Sequence, residues 1–189
     1  MNVFDFDNTI YDGESAVDFF KYCVKRKPSL SRYLPKIGAM ALKYKRGKVD
    51  KQEVLQFAVF MLGILSENMK DLDDALCGFW KKNSCRLKPD IIKLIEPGDV
   101  ILSASPSFIF SKIENMLGGA KIISTQVDLE DMKILFLCYG ENKVARFKEY
   151  CPDTVPENYY TDNFNDMPMI SFSKRAWLVR GSDITEIKV

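Results

Sequence analysis

The pattern of apolar and polar residues divides the chain into two parts. A short apolar run at residues 3–7 predicts a strand, and a longer stretch with helical spacing follows it. The helices predicted in that stretch cover residues 14–26, 29–45, 51–62 and 66–82. Asp50 and Ser66 are residue types that often begin helices, so we expect them to cap the third and the fourth.

From residue 89 onward the spacing changes, and short buried-type strands alternate with helices. The predicted strands cover residues 99–103, 121–127, 133–138, 158–161 and 176–180. The predicted helices cover residues 90–95, 108–117, 142–150 and 166–172. Alternation of this kind is typical of a parallel sheet that is covered on both faces.

We therefore predict an α/β fold, a doubly wound parallel sheet built from residues 1–12 and 88–189. Residues 13–87 would form a helical cap inserted after the first strand. In such sheets the ligand binds at the carboxyl ends of the strands. The cap would then lie directly over the binding edge.

Histidine is absent from the 189 residues. Its absence excludes Ser-His and Cys-His hydrolases and histidine metal sites. The five cysteines form no Cys-x-x-Cys pair, which argues against a disulfide framework or a structural zinc site. The chain starts without the features of a secretory signal, and its longest apolar stretches, such as residues 57–65, are shorter than a bilayer span. We therefore expect a cytoplasmic protein.

Polar side chains lie at the ends of four predicted strands or at the starts of the helices that follow. They are Asp5, Asp7, Ser103, Lys143, Asp162 and Asp166. Each has an ordinary alternative, because an Asp after a strand usually caps a turn or helix and a Lys at a helix start is usually solvated. The predicted sheet would bring all six to one edge, which favours an active site there.

Four motifs resemble, in order, those of the haloacid dehalogenase superfamily. They are Asp5-Phe6-Asp7-Asn8-Thr9, Ile101-Leu102-Ser103-Ala104-Ser105, Gly140-Glu141-Asn142-Lys143 and Thr161-Asp162-Asn163-Phe164-Asn165-Asp166. With a helical cap between the first two motifs, the chain resembles the subgroup that contains phosphoserine phosphatase. The resemblance implies a Rossmann-like core and a Mg²⁺-dependent phosphatase acting on a small phosphorylated substrate.

The same resemblance implies roles for the motif residues. Asp5 would be the nucleophile that forms an aspartyl phosphate, and Asp7 the general acid and base. The implied phosphate-binding residues are Ser103, Lys143 and Thr9, of which Thr9 also positions the loop of the first motif. The implied metal-binding residues are Asp5, Asp7, Asp162 and Asp166. Asp166 is also placed to cap the last helix, and both roles can hold together.

The substrate is less well defined by the sequence. In the phosphoserine phosphatases, as the resemblance implies, a Glu after the first motif faces the substrate amine and an Arg on the cap binds its carboxylate. Glu14 matches the Glu, whereas Ala58 stands where the Arg is expected. A methyl group cannot hold a carboxylate, so we expect a phosphomonoester other than phosphoserine. Glu14 alternatively serves only as an early-helix acid that favours the helix dipole.

The net charge of +1 conceals a basic segment, residues 21–51, which contains eleven Lys and Arg and one acid, Asp50. The segment is either a solvated face of the cap or a surface for an anionic lipid or polyanion. Nucleic acid is not expected, because no recognised binding module is present. The oligomeric state stays open.

A catalytically idle protein of the same fold, with a binding or regulatory role, is the alternative to a phosphatase. The enzyme is favoured because Asp5, Asp7, Ser103, Lys143 and Asp162 are all present. A protein that only binds has no chemical need for the complete set.

Overall fold

Seven strands form one mixed sheet in the computed structural model, which describes residues 1–46 and 48–188. The strands are β1 Asn2–Asp5, β2 Val100–Pro106, β3 Lys121–Asp128, β4 Lys133–Phe136, β5 Asn158–Thr161, β6 Arg175–Arg180 and β7 Asp183–Ile187. Their order across the sheet is β4-β3-β2-β1-β5-β6-β7. The five inner strands are parallel, which confirms the predicted α/β fold. Gly47 and Val189, in the predicted cap and core, lie outside the described residues.

The stretch predicted as the cap, residues 13–87, contains four α-helices among its described residues. They are α1 Ser15–Arg26, α2 Leu34–Lys45, α3 Lys51–Asn68 and α4 Leu72–Asn83. Three more follow, namely α5 Pro89–Ile92, α6 Glu141–Tyr150 and α7 Met167–Phe172. None of the described helices combines the length and hydropathy that a membrane crossing requires.

Two helix starts in the first part of the chain test the capping predictions. Asp50 caps α3 as expected, because its side chain accepts from the Glu53 amide and Glu53 reaches back to the Asp50 amide. The prediction for Ser66 is wrong, since α3 continues to Asn68 and the Ser66 hydroxyl donates to the Gly63 carbonyl within it. Asp71 caps α4 instead.

The later elements also depart from prediction at their edges. Residues 108–117 form short 3-10 helices, Ser107–Lys112 and Glu114–Met116, rather than an α-helix. The edge strands β4 and β7 are antiparallel to their neighbours. β7 was not predicted, because an edge strand with mostly exposed side chains has no buried apolar run to reveal it.

Helices α1–α4 share a hydrophobic core with the sheet. Consecutive residues of β1 point to opposite faces, so Phe4 packs in the cluster that contains Phe19 of α1, Leu62 of α3 and Phe79 of α4. On the other face, Val3 packs in a second cluster with residues of α6 and α7. This shared packing holds the four helices against the sheet.

Arg86, which lies just after α4, contacts the segment between β1 and α1 and also α1 itself. It donates to the carbonyl of Asp12 and pairs with Asp18 at 2.6 Å. Beside it, the Lys88 amide donates to the Ile10 carbonyl at 2.8 Å. The segment that leads into the four helices and the segment that leads out of them therefore lie side by side, shortly after the end of β1.

Candidate active site

Asp5 ends the central strand β1, at the edge where the parallel strands have their carboxyl ends. Its carboxylate accepts a hydrogen bond from Lys143 Nζ at 2.7 Å, and both residues are buried. Lys143 lies in the first turn of α6, far away in sequence. The fold thus brings the first and third motifs into direct contact, as predicted.

Asp166 is the second carboxylate that contacts the Lys143 ammonium. Lys143 Nζ donates to Asp166 Oδ2 at 2.8 Å, and the Tyr159 hydroxyl donates to the same oxygen at 2.6 Å. The Thr161 hydroxyl is 3.2 Å from that oxygen. Asp166 also precedes α7 at its N-cap position, but its side chain makes no cap hydrogen bond to the helix. Its carboxylate therefore orients Lys143 rather than capping α7.

Burial and charge act on Asp5 and Lys143 in opposite senses. Burial raises the pKa of the Asp5 carboxyl well above its usual range, against the lowering effect of Lys143. Burial alone would lower the pKa of Lys143, but Asp166 and Asp5 together raise it well above its usual range. Lys143 is therefore held as an ammonium, and it offsets part of the opposition that burial sets against the ionised form of Asp5.

Asp7 is held by the start of α1 and by β2. It accepts a hydrogen bond from the Ser15 amide at 2.6 Å and another from the Ser105 hydroxyl at 2.6 Å. The Ser15 and Ser105 hydroxyls are 2.9 Å apart. Burial raises the pKa of Asp7 against the lowering effect of these hydrogen bonds. A raised pKa suits a group that must give and take a proton.

Ser103 and Thr9 are both buried, Ser103 two residues before Ser105 on β2 and Thr9 two residues after Asp7. The Ser103 hydroxyl accepts from the Ser105 amide at 3.0 Å and can still donate its own hydrogen. Thr9 Oγ1 is fully buried and has no hydrogen-bond partner within residues 1–46 and 48–188. A buried hydroxyl without a partner is costly, by about 1–3 kcal/mol.

Asp162 follows β5, and its side chain accepts from Asn163 Nδ2 at 2.7 Å. Burial and the nearby charge of Asp166 raise its pKa to about 6. Asp162 lines an open cavity of about 740 Å³ together with Asn8, Glu14 and Lys88. This cavity gives the solvent a route to the fourth motif.

Glu14 stands at the N-cap position of α1 but makes no side-chain cap hydrogen bond. Its carboxylate accepts from Asn8 Nδ2 at 2.8 Å. Glu14 lines both the open cavity beside Asp162 and a second, apolar cavity beside Asp7. It therefore lies at the site, where it can meet a bound molecule.

The motif residues at the site include four carboxyl groups and one ammonium. Asp5, Asp7, Asp162 and Asp166 influence one another through space, with Lys143 as the ammonium among them. No three Asp, Glu or Cys side chains form a ready-made metal cage in the described part of the chain. Mg²⁺ needs no such cage, because it usually keeps several waters and takes one or two carboxylates plus phosphate oxygens. The donor set fits Mg²⁺ on these chemical grounds.

Sequence reasoning missed the partners that hold the motif residues. Tyr159, Ser15 and Ser105 contact the motif carboxylates, although only Ser105 stands within a motif. A Tyr on a strand is typical of a hydrophobic core, and a Ser is common at the start of a helix, so neither residue indicated a role at the site. Their roles emerge only when the strands are assembled.

The chain matches the family model of haloacid dehalogenase-like hydrolases over residues 3–171. No curated protein matches its sequence. Among solved structures, a protein of unknown function from Bordetella pertussis Tohama I is similar with a TM-score of 0.75 and 19% identity, over 93% of this chain and 87% of that one.

Two further structures share the fold. A phosphoserine phosphohydrolase-like protein from Francisella tularensis subsp. tularensis SCHU S4 has a TM-score of 0.62 and 15% identity, over 93% of this chain and 84% of that one. A phospho-aspartyl intermediate analogue of phosphoserine phosphatase has a TM-score of 0.58 and 15% identity, over 93% of this chain and 83% of that one. At these identities the likeness concerns the fold.

Proposed function

Because this chain belongs to the haloacid dehalogenase-like hydrolase family, we propose that it hydrolyses phosphomonoesters with Asp5 as the nucleophile. One observation supports the proposal more strongly than the others. Asp5 ends the central strand with its carboxylate 2.7 Å from the ammonium of Lys143, so nucleophile and phosphate-binding cation are adjacent. Loss of turnover in an Asp5→Asn variant is the direct test.

In the proposed first step, an Asp5 oxygen bonds to phosphorus while the bond from phosphorus to the alcohol oxygen breaks. Asp7 gives its proton to the leaving alkoxide. Lys143 binds a phosphoryl oxygen and stabilises the charge that develops on it. Ser103 and Thr9 are proposed to donate to the remaining oxygens, which would give the unpartnered Thr9 hydroxyl an acceptor.

In the second step a water oxygen attacks the phosphorus of the aspartyl phosphate. Asp7, now ionised, takes a proton from that water, and the bond between phosphorus and Asp5 breaks. Inorganic phosphate leaves, and Asp5 regains its carboxylate. Atoms and charges return to their starting state, so each cycle consumes one ester and one water.

Mg²⁺ is the proposed cofactor, held by the Asp5 and Asp162 carboxylates and by Asp7. When bound, it supplies positive charge that favours the ionised form of Asp5 and offsets repulsion between that carboxylate and phosphate. Asp166 is proposed to act by orienting Lys143, with which it shares a hydrogen bond of 2.8 Å.

Mg²⁺ should stabilise the folded protein without any substrate. At 100 times its dissociation constant, a cation that binds only the folded state adds about 2.7 kcal/mol, which is several degrees in Tm for a chain of this size. The Tm should rise with Mg²⁺ and fall back with a chelator. Asp162→Asn should lose the effect, whereas Asp90→Asn, at an exposed acid elsewhere, should keep it. An equal rise in both variants would contradict a site at Asp162.

Replacing Asp7 should affect substrates according to their leaving groups. Asp7→Asn cannot protonate an alkoxide, so alkyl phosphates should lose about 10²–10⁴ in kcat/KM, which reports formation of the aspartyl phosphate and not its breakdown. Aryl phosphates, whose leaving groups need less protonation, should lose much less. The ratio of the two rates in steady-state assays isolates this effect from the disturbed hydrogen bonds to Ser15 and Ser105. Equal losses in kcat/KM would contradict Asp7 as the acid of the first step.

The proposal does not require the basic segment, residues 21–51, to bind anything. Part of its charge is already neutralised, because Arg26 pairs with Asp74 at 2.7 Å and Lys43 pairs with Glu53. Lys51 donates at 2.8 Å to Asn142, the residue that precedes Lys143. We propose that α1–α4 act as a cap over the site, and contact with an anionic lipid or polyanion stays a prediction.

A further inference from the structure

An apolar cavity of about 140 Å³ lies between the helices α1–α3 and the ends of β2 and β3. Its wall includes Met40, Val54, Phe57, Met61, Phe108 and Ile134. Asp7 and Glu14 also line it, so the cavity reaches the group that we propose as the proton donor. Among the residues that the structure describes, no lysine or arginine lines it.

The hydroxyls of Ser105 and Thr125 in this wall are already engaged with the protein, and the Glu14 carboxylate there accepts from Asn8 Nδ2. The Ser105 hydroxyl donates to Asp7 at 2.6 Å. The Thr125 hydroxyl donates to the Ala104 carbonyl at 2.7 Å and accepts from the Cys138 amide at 3.1 Å. A leaving group with its own charges would therefore lose its hydration here and find few new partners. Such a wall selects against polar alcohols.

The size of the cavity limits the group it can hold. A dry cavity of about 150 Å³ lined by aliphatic and aromatic side chains accommodates benzene. The cavity beside Asp7 is close to that size, so it suits about six carbons. Ala58 lines it, and an arginine at that position would place a charge in the apolar wall.

We propose that the substrate is the phosphomonoester of an apolar alcohol, an inference that rests on the function proposed above. Its first six or so carbons, alkyl or aryl, fill this cavity, while the phosphate lies at Asp5 and the ester oxygen at Asp7. Aliphatic and aromatic alcohols share this chemistry. Comparison of hexyl and phenyl phosphates distinguishes them.

The first test measures kcat/KM with Mg²⁺ for a series of n-alkyl phosphates from ethyl to hexyl. These leaving groups have nearly the same chemistry, so differences report binding of the chain. Each buried methylene should raise kcat/KM about fourfold, which is on the order of 10²-fold from ethyl to hexyl. O-phosphoserine and glycerol phosphate should be poor substrates. A flat series, or a preference for O-phosphoserine, would overturn the inference.

A second test blocks the cavity. Ala58→Phe should remove most of the preference for hexyl over ethyl phosphate while turnover of ethyl phosphate persists, which also shows that the variant folds. Val59→Phe adds similar bulk at the next, exposed position and should keep the preference. Equal preferences in Ala58→Phe and the parent would contradict the assigned cavity.

A binding measurement separates this inference from the proposed function. Hexylphosphonate cannot be hydrolysed, so its affinity relative to ethylphosphonate reports the cavity alone. Tighter binding of hexylphosphonate without any ester hydrolysis would support the cavity and refute the phosphatase. Asp5-dependent hydrolysis with equal affinity for the two phosphonates would support the phosphatase and refute the cavity.

Discussion

Asp5→Asn is expected to abolish turnover of every phosphomonoester, with a loss on the order of 10⁴-fold or more in kcat. The reason is chemical, because an amide oxygen is a far weaker nucleophile than a carboxylate and cannot form the aspartyl phosphate. Asn has nearly the same shape as Asp and can still accept the hydrogen bond from Lys143. The fold should therefore survive the change.

The control for this prediction is stability. Burial raises the pKa of Asp5, so the site does not favour the ionised form of that carboxyl strongly, and a neutral amide should be tolerated there. The Tm of Asp5→Asn should stay close to that of the parent while activity disappears. Activity that persists in the purified variant would exclude Asp5 as the nucleophile.

Lys143→Met is expected to cause the largest loss of stability among substitutions in the site. Lys143 is 2% exposed and lies between Asp5 and Asp166 at 2.7 and 2.8 Å. Removing one member of a buried ion pair leaves uncompensated charge and costs about 3–5 kcal/mol. Activity should also fall with it, because no ammonium would remain to bind the phosphoryl group. Denaturant unfolding at fixed pH measures the first effect.

The loss of stability should grow with pH. Without Lys143, the pKa of the folded Asp5 rises further above its value in the unfolded chain, so the folded variant binds more protons than the unfolded one. Its stability therefore falls as pH rises, and the deficit should be greater at about pH 8 than at about pH 5. Lys148→Met, on the exposed face of the same helix, should change stability by about 0.5 kcal/mol or less at either pH.

Much of the sheet could be predicted because its inner strands are buried on both faces. Val100, Ile101 and Leu102 of β2, for example, form a continuous buried run that marks a parallel strand. The segment after β2 was harder to predict. Residues 108–117 have enough apolar positions for a helix, yet Phe108, Ile109 and Phe110 are all buried under the helices, and tertiary packing outweighs the helical preference.

The site was predictable to the extent that its residues follow strand ends. The contact of Asp5 with Lys143 follows from the topology of a parallel sheet. The sequence could not reveal that Tyr159 donates to Asp166, since that bond depends on how the turn before α7 folds back against β5. A free aspartate side chain has a pKa of about 3.9, whereas burial raises the pKa of Asp5 well above that value. Desolvation is a property of the assembled core.

The central claim, a covalent phosphoryl group on Asp5, is tested most directly by trapping that group. Protein quenched during turnover is treated with borohydride, which reduces an aspartyl phosphate to homoserine, and the N-terminal peptide is sequenced by mass spectrometry. An aryl phosphate used with Asp7→Asn, which should slow breakdown of the intermediate more than its formation, would raise the yield. The account predicts homoserine at position 5 in samples with substrate and none without it. Steady hydrolysis with unmodified Asp5, or with the label at another residue, would contradict it.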